Sequence, residues 1–366
     1  FICKQTKKLT GDNSMPIIVA MINSGVTSRR LPAEWEEQDG VLMAWPHADT
    51  DWSPTLELVE PVFAEIVAAI SRFEQIILIV PETETVTTSL SKAGANLQNI
   101  NFVNLPINDT WARDFGPITV FEDNSPIMLD FGFNGWGLKF PANHDNRINQ
   151  LLADTGLFKN RYAVMPLILE GGSIESDGAG TLLLTSECLL DLNRNPHLAR
   201  EEIETALQNL LGVKRFLWLN HGYLAGDDTD SHIDTLARLC PNDTILYVAC
   251  DDPADEHFEE LAAMKRELEV FRTAGNNPYR LLPLPFPSAC YGTEGERLPA
   301  TYANFLVINA AVLVPTYRDK CDNTALTAVQ EAFPDREIIG IDCRSIILQH
   351  GSLHCLTMQL PKGVMT

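Results

Sequence analysis

The sequence predicts an α/β fold made of repeated modules, each with two or three strands, a helix and a further strand. Three observations indicate this class. Helical and strand-like hydrophobic patterns alternate along the 366 residues. Strand pairs with turn residues between them separate the helices, and no Pro-, Ser- or Gly-rich linker interrupts the pattern. We therefore expect residues 29–366 to form a single domain of ββαβ-like modules rather than two domains.

The helices are predicted from apolar residues at helical spacing, over residues 63–70, 195–212, 253–275 and 321–333. An apolar strand follows each of them: QIILIV, FLWLN, YRLLPLP and EIIGIDC. In the segment 195–212, Asn195 is suited to cap the first turn and Gly212 to end the helix.

The strand pairs are predicted over residues 116–133, 173–187 and 305–317. The first has turn residues between Glu122 and Pro126. Residues 1–28 are left outside the domain: their apolar stretch is short for a signal peptide and no convincing cleavage site follows it. We expect an extension that is poorly ordered or derives from an alternative start.

The charge balance limits the classes of partner. The chain carries 49 acidic and 27 basic residues, a net charge of −22. Nucleic acids and anionic membranes both require a basic face, so neither is expected as a partner. An acidic surface is compatible with a small cationic substrate, although most acidic proteins are acidic only for solubility. Homo-oligomerisation is left open by the sequence.

The eight cysteines are scattered and form no C-x-x-C pair, so neither a zinc ribbon nor a disulfide framework is predicted. Several stand in apolar runs, which is typical of buried thiols. A reducing, cytoplasmic compartment is the expectation.

Four segments place carboxylates, histidine or cysteine beside glycine at the edge of an apolar strand: NDTWARDFGP (108–117), ILEGGS (168–173), GDDTDSHIDTLARL (226–239) and HGSLHC (350–355). Each alone has an ordinary explanation. Glu170 could accept backbone hydrogen bonds at a turn, and the acidic run could be a solvated loop. Together the four segments favour one shared cleft.

Side-chain direction suggests which residues meet. If 232–238 is a strand, His232 and Asp234 share one face. By the same rule His354 points away from Cys355, so His232 is the better partner for this cysteine and His354 is a hydrogen-bonded structural residue. In the WARD segment, Asp114 is a candidate ligand and Trp111 is either a stacking platform for a planar cation or a core residue.

The candidate set of Cys355, His232, Asp114, Glu170 and Asp234 limits the chemistry. A cysteine peptidase has little use for carboxylates around its nucleophile, because they raise the pKa of a thiol. A zinc site from His232, Asp234 and Cys355 lacks a standard ligand spacing. A guanidinium substrate explains the set better, since it is planar, pairs bidentately with carboxylates and needs a strong nucleophile.

The motifs resemble those of the agmatine deiminase and bacterial peptidylarginine deiminase family, within the guanidino-group-modifying (pentein) superfamily. The resemblance covers residues 31–361. It lies in LPAEWEEQDGVLMAWPH, NDTWARDFGPI, EGGSIESDGAGTLLLT, GDDTDSHIDTLARL, YANFLVIN and HGSLHCLTMQLP, in that order. It implies a five-bladed α/β propeller of ββαβ units with pseudo-fivefold symmetry around a central site.

The resemblance also implies roles. Cys355 is similar to the family's nucleophile and His232 to its general acid and base. Asp114 and Asp234 resemble the guanidinium-binding carboxylates, and Glu170 the carboxylate that orients the histidine or the substrate. The implied reaction passes through a covalent amidino-thioether and needs no metal or organic cofactor.

The implied substrate is agmatine, hydrolysed to N-carbamoylputrescine and ammonia as a step of putrescine formation. Alternatives are peptidyl-arginine or free arginine, a non-catalytic pentein used for binding, and a metal-dependent hydrolase. The chain has QHGSLHC where many agmatine deiminases have glycines and NIHC. This difference leaves the site residues in place but leaves the substrate open.

Overall fold

The computed structural model describes residues 29–159 and 161–366 and shows an α/β fold with mixed sheets. Five sheets share one order: a first strand runs antiparallel to a second, and the second runs parallel to a third. We number these five modules in chain order by their second strand. The α/β class predicted from the sequence is confirmed. The prediction about residues 1–28 concerns a segment outside the described residues.

In sheet order, the strands of the first module are Thr357–Pro361, Gln38–Ala44, Gln75–Ile79 and Ile100–Val103. Those of the second are Ile118–Glu122, Ser125–Gly132 and Tyr162–Ile168, and Arg29–Arg30 adds an antiparallel edge strand beside Ile118–Glu122. The third has Ile174–Ser176, Thr181–Thr185 and Arg215–Leu219, and the fourth Ala237–Cys240, Thr244–Ala249 and Arg280–Pro285. The fifth has Leu306–Val307, Ala311–Thr316 and Glu337–Asp342, and a separate ribbon pairs Cys290–Tyr291 with Arg297–Leu298.

Helices connect the parallel strands of each module. The α-helices span Leu56–Ile70, Thr83–Ala93, Ala112–Phe115, Gly135–Leu138, Ile148–Ala153, Ser186–Leu189, Arg200–Leu211, Phe258–Val270 and Asp322–Ala332. Short 3₁₀ turns span Ser53–Thr55, Leu97–Asn99, Asp145–Arg147, Gly171–Ser173, Ile233–Thr235, Ile347–Gln349 and His354–Leu356. No helix within the described residues has the length and apolar character needed to cross a membrane.

The helices and strand pairs predicted from periodicity are present, but two helices have wrong bounds. The helix predicted over 253–275 spans only Phe258–Val270, and the other begins late. The segment 195–212 becomes helical only at Arg200, where Glu202 accepts a hydrogen bond from the backbone of Ala199. Asn195 does not cap it. Its side chain instead makes two hydrogen bonds to the backbone of Ile168, at 2.8 and 3.1 Å, and so ties this loop to the second module.

The core lies along the second strands of the modules, which are buried on both faces. In the first module Val41, Leu42, Met43 and Ala44 are completely buried, as expected for a strand that pairs on both sides and is covered by helices. The first strand of this module comes from the far end of the sequence: Thr357–Pro361 lies beside Gln38–Ala44, with Thr357 opposite Met43. The strand Thr357–Pro361 therefore completes the module to which Gln38–Ala44 belongs, more than 300 residues earlier in the sequence.

Short helical turns precede the first strands of four modules, and these turns contain the polar segments found in the sequence. They are Ala112–Phe115, Gly171–Ser173, Ile233–Thr235 and His354–Leu356. The prediction of a strand over 232–238 is wrong, because the strand begins only at Ala237. A turn of three residues has no period long enough to show in the sequence, whereas the apolar strand after it does.

Candidate active site

A cavity of about 210 Å³ opens where these turns meet. Cys355 and Asp114 line it together with Trp111, Trp136 and Thr235. Further carboxylates line the same cavity: Asp51, Asp109, Asp227 and Asp228. The cavity thus combines a thiol, aromatic faces and an unusual excess of acidic groups, a combination suited to a planar cation.

Cys355 is 4% exposed and lies in the 3₁₀ turn that leads into the closing strand. Its Sγ is 3.3 Å from Nδ2 of Asn304 and 3.9 Å from Oδ2 of Asp234. The Asn304 side-chain oxygen also accepts hydrogen bonds from the backbone of His354 and Cys355, at 2.9 and 3.3 Å. Asn304 therefore fixes both the backbone and the sulfur of the proposed nucleophile.

Asp114 is held by two donors. The backbone N–H of Gly172 donates to its Oδ1 at 3.0 Å, and the indole N–H of Trp136 donates to its Oδ2 at 2.9 Å. Burial raises the pKa of Asp114; the charge of His232 opposes the rise, and the like charges of Asp234 and Glu170 add to it. A cation in the cavity relieves this repulsion, so the carboxylate is prepared for a guanidinium.

His232 is completely buried between two carboxylates. Its Nδ1 is 3.6 Å from Oδ1 of Asp114 and its Nε2 is 3.7 Å from Oε2 of Glu170. Burial alone would lower the pKa of His232, but the charge of Asp114, with Cys188 and Glu170 beside the ring, raises it well above its usual value. The surroundings of His232 therefore favour its imidazolium form, the form that a general acid requires.

Glu170 is joined to Arg194 by hydrogen bonds of 2.8 and 3.0 Å from the same Nε to its two carboxylate oxygens. Although burial would raise the pKa of Glu170, His232 and Arg194 lower it. The carboxylate stays ionised and supports the imidazolium beside it. Arg194 also pairs with Asp230 at 2.8 Å, so the ion pair contacts the acidic segment 226–239.

Cys188 is a second thiol close to the histidine. It is completely buried, its Sγ is 3.7 Å from Oε2 of Glu170, and burial raises its pKa. The ligand atoms of Glu170, Cys188 and His232 lie within 4.8 Å of one another, close enough to hold a metal ion. The guanidinium of Arg194 already neutralises Glu170, however, and opposes a second cation there.

The thiol of Cys355 is neutral in the unliganded site. Burial raises the pKa of Cys355 well above its usual value, and the charges of Asp234 and Asp114 raise it further. Binding of a cation between these carboxylates has the opposite effect. The geometry therefore favours formation of the thiolate when a cationic substrate is present.

Two glycines in the sequence motifs are explained by close packing. A Cβ on Gly172 would lie 2.6 Å from Nδ1 of His232 and 2.9 Å from Oδ1 of Asp114. A Cβ on Gly351 would lie 2.2 Å from the ring of Trp111. Both glycines allow backbone to pack directly against a side chain of the site, and larger residues would displace these groups.

Of the five residues predicted as catalytic, Cys355 and Asp114 line the cavity, as does Trp111. The other three are buried beside them: His232 is 3.6 Å from Asp114, Glu170 is 3.7 Å from His232, and Asp234 is 3.9 Å from Cys355. Sequence reasoning missed Asn304, Trp136, Arg194 and Cys188. Trp136 stands in the glycine-flanked sequence NGWG, which could have signalled a special backbone conformation. Asn304 lies in YANFLVIN, one of the motifs that carry the family resemblance, but no role was assigned to it. Arg194 is an isolated polar residue with no such signal.

His354 was predicted to be a structural residue that strand alternation turns away from Cys355. The structural role is correct in part, but the reason is wrong. His354 and Cys355 lie in a 3₁₀ turn, so strand alternation does not separate them. His354 is buried and hydrogen-bonded, as expected of a structural residue, but one of its partners is Asp234 at 2.7 Å. It therefore contacts the site through a carboxylate.

The fold and the site indicate a class of protein: hydrolases built of mixed α/β modules that act on the C–N bonds of a guanidino group. Comparison with known families gives the same answer. The chain belongs to the Porphyromonas-type peptidyl-arginine deiminase family, whose model matches residues 30–361.

Individual relatives agree with this assignment. The agmatine deiminase of Pseudomonas aeruginosa is 34% identical over 360 residues, covering 91% of this chain and 95% of the relative. A candidate arginine deiminase from Porphyromonas gingivalis superposes with a TM-score of 0.88 and 49% identity, covering 92% of this chain and 100% of that one. A C. jejuni agmatine deiminase, solved with substrate and a Cys-to-Ser substitution, superposes with a TM-score of 0.85 and 40% identity. The match covers 92% of this chain and 97% of that one.

Proposed function

We propose that the protein hydrolyses agmatine to N-carbamoylputrescine and ammonia. The observation that carries this proposal is the cavity itself, which has a thiol among guanidinium-binding carboxylates and additional carboxylates along its wall. The guanidinium group of the substrate lies against Asp114 and Asp234, with Trp111 beside it. The remaining acidic groups face the rest of the ligand.

As the cation binds, Cys355 loses its thiol proton to solvent water. In the first step the thiolate attacks the guanidinium carbon and a C–S bond forms. His232 gives its proton to the departing nitrogen, the C–N bond breaks, and ammonia leaves. The amidino group stays attached to sulfur. Asp114 and Asp234 hold the cation in line with the thiolate, which supplies the orientation that such an unreactive carbon needs.

In the second step water enters the position that ammonia has left. The neutral His232 takes a proton from this water, and the oxygen adds to the amidino carbon. The C–S bond then breaks, the hydroxyl proton of the adduct passes to solvent water, Cys355 returns as a thiolate and the neutral ureido product is released. Glu170 stabilises the imidazolium each time it forms.

Charge supports agmatine over arginine as the substrate. The far end of agmatine is an ammonium, whereas free arginine adds a carboxylate at that end. Asp51, Asp109, Asp227 and Asp228 all line the cavity, and they attract the first and repel the second. Arginine and peptidyl-arginine remain the second candidates, and the likeness to the P. gingivalis protein favours testing them.

The test is an ammonia-release assay with agmatine, arginine and a short arginine peptide. We expect turnover of agmatine, and a loss of at least about 1000-fold in Cys355→Ser because the nucleophile is removed. Cys188→Ser tests the second thiol beside His232, which is not in the cavity wall, and activity should stay within about tenfold. Cys343→Ser is the matched control, because Cys343 is completely buried and lines neither this cavity nor the one at Glu34. Full activity in Cys355→Ser, or its loss only in Cys188→Ser, would contradict the assignment of the nucleophile.

The arrangement of the five modules as blades around this cavity is part of the same proposal. It is supported by the common strand order and by site residues on turns that precede the first strands of four modules. A single catalytic domain over residues 29–366 and a cytoplasmic location stay predictions. A non-catalytic binding protein is disfavoured by the complete set of polar side chains.

A further inference from the structure

His354 lies between two carboxylates that belong to different parts of the molecule. Its Nδ1 is 2.7 Å from Oδ2 of Asp234, and its Nε2 is 2.7 Å from Oε2 of Glu34. The ring is 2% exposed. It therefore connects a guanidinium-binding carboxylate to a residue outside the substrate cavity.

The short distances on both sides show that the His354 ring contacts both carboxylates at once. An ionised carboxylate only accepts hydrogen bonds, so the Nδ1–H of His354 donates to Asp234. Arg238 Nη2 is 3.1 Å from Nε2 of His354 and also donates to Glu34 at 2.9 Å. Arg238 and His354 thus both contact the same Glu34 oxygen, which holds the ring in place beside Asp234.

This arrangement divides the tasks of the two Asp234 oxygens. Oδ2 accepts from His354 at 2.7 Å and from Asn304 at 3.2 Å. Oδ1 is buried and has no hydrogen-bond partner among the described residues. With Oδ2 fixed, the carboxylate cannot rotate freely, and Oδ1 is left to accept from the guanidinium group of the substrate.

Glu34 provides a rigid support for the histidine. Its other oxygen, Oε1, accepts a hydrogen bond of 2.7 Å from the backbone of Val307. Glu34 and His354 also line a second cavity, of about 40 Å³, which shares no lining residue with the substrate cavity. Glu34 thus acts on the site from a side that the substrate does not reach.

We propose that His354, supported by Glu34, is a positioning residue that fixes Asp234 for the guanidinium group. The proposal rests on the proposed function, because it assigns Asp234 to the cation of the substrate. His354 itself does not touch the substrate. It acts through the carboxylate, as a neighbour that orients a binding group does.

Two substitutions separate positioning from a general structural role. In His354→Asn the side-chain Nδ2 takes the place of the histidine Nδ1 and can still donate to Asp234. In His354→Gln the Nε2 takes the place of the other ring nitrogen and reaches only Glu34. Each variant keeps one of the two contacts, and neither introduces a charge.

The measurement is kcat and KM for agmatine, with thermal unfolding of each variant. We expect His354→Gln to lose about 100-fold in kcat/KM, with a higher KM, because Asp234 is free to turn. His354→Asn should keep activity within about tenfold of the parent. Equal losses in the two variants, or a better result with Gln than with Asn, would overturn the proposal.

If His354→Gln does not fold, Glu34→Gln provides a second test, because it weakens the support of His354. It changes no atom next to Asp234, and we expect a KM for agmatine raised about tenfold. An unchanged KM in folded protein contradicts the positioning role. A parent that acts on arginine instead of agmatine contradicts the proposed substrate alone, and the variants are then compared with arginine, which has the same guanidinium group.

Discussion

At the scale of single residues, His232 has an unusual environment. Neither ring nitrogen makes a hydrogen bond within the described residues, although Asp114 and Glu170 lie 3.6 and 3.7 Å away. Although burial would lower the pKa of His232, the charge of Asp114, with the nearby Cys188 and Glu170 side chains, raises it. These distances leave room for the substrate to change the contacts of the ring, as a group that gives and takes protons requires.

Glu170→Gln tests this electrostatic control. The raised pKa of His232 keeps the acid form present to alkaline pH, so activity falls only as pH rises through that pKa. Removal of one negative charge makes the imidazolium less stable and lowers the pKa of His232. We expect the alkaline limb of kcat/KM against pH to move to lower pH.

The matched control for Glu170→Gln is Glu204→Gln, in a carboxylate that pairs with Trp218 and Arg200 away from the site. Its pH profile should be that of the parent. An alkaline limb that stays in place in Glu170→Gln would show that His232 is not the group that titrates there.

At the scale of elements, the helical turn Gly135–Leu138 has the opposite hand to the rest of the fold. Its four residues have φ values of 69°, 54°, 79° and 69°. Trp136 and Leu138 have side chains, and each costs about 1–2 kcal/mol in this conformation. Strain of this kind is retained where function needs it, and here the turn delivers the Trp136 indole to Asp114.

Trp136→Phe removes the indole N–H and keeps most of the aromatic surface. Asp114 then loses the donor to Oδ2, and we expect KM for agmatine to rise about tenfold, equal to roughly 1.4 kcal/mol. Steady-state kinetics measure the change. Trp218→Phe loses a similar bond, to Glu204 at 2.7 Å, in the third module, and its KM should not change. The same KM in both variants would exclude a role for the turn.

At the scale of the whole molecule, Arg238 joins several modules at the centre. It is 1% exposed and pairs with Glu175 of the third module and with Glu34. It also donates to the backbone oxygens of Ala303 and Phe305, beside the fifth module, and its guanidinium lies 4.4 Å from the Phe305 ring. One buried cation thus satisfies groups from three distant parts of the chain.

Arg238→Met should destabilise the protein by about 3–5 kcal/mol, because two buried carboxylates lose their counter-charge. Chemical denaturation gives the free energy of unfolding. Arg344→Met is the control: Arg344 pairs with Asp342 at the surface, where an ion pair contributes at most about 1 kcal/mol. Similar losses in the two variants would show that the central network does not stabilise the fold.

The parts of this protein that could be predicted from sequence are the helices and strands whose apolar residues recur at regular spacing. Apolar spacing indicated the helices and strands, and glycine beside polar residues indicated the segments of the site. The turn at His232 was missed because three residues give no period, and Asn195 was misplaced because its partner, Ile168, is distant in sequence. The Arg238 network was also invisible, since it depends on how the modules meet.

The pairing of Thr357–Pro361 with Gln38–Ala44 has a consequence for protein synthesis. A ribosome-bound chain that ends before residue 355 already has Asp114, Glu170, His232 and Asp234, but not the thiol of the cavity. Cys355 reaches the cavity when the strand after it joins the first module. A chain synthesised only as far as residue 354 therefore cannot attack guanidino compounds through this thiol.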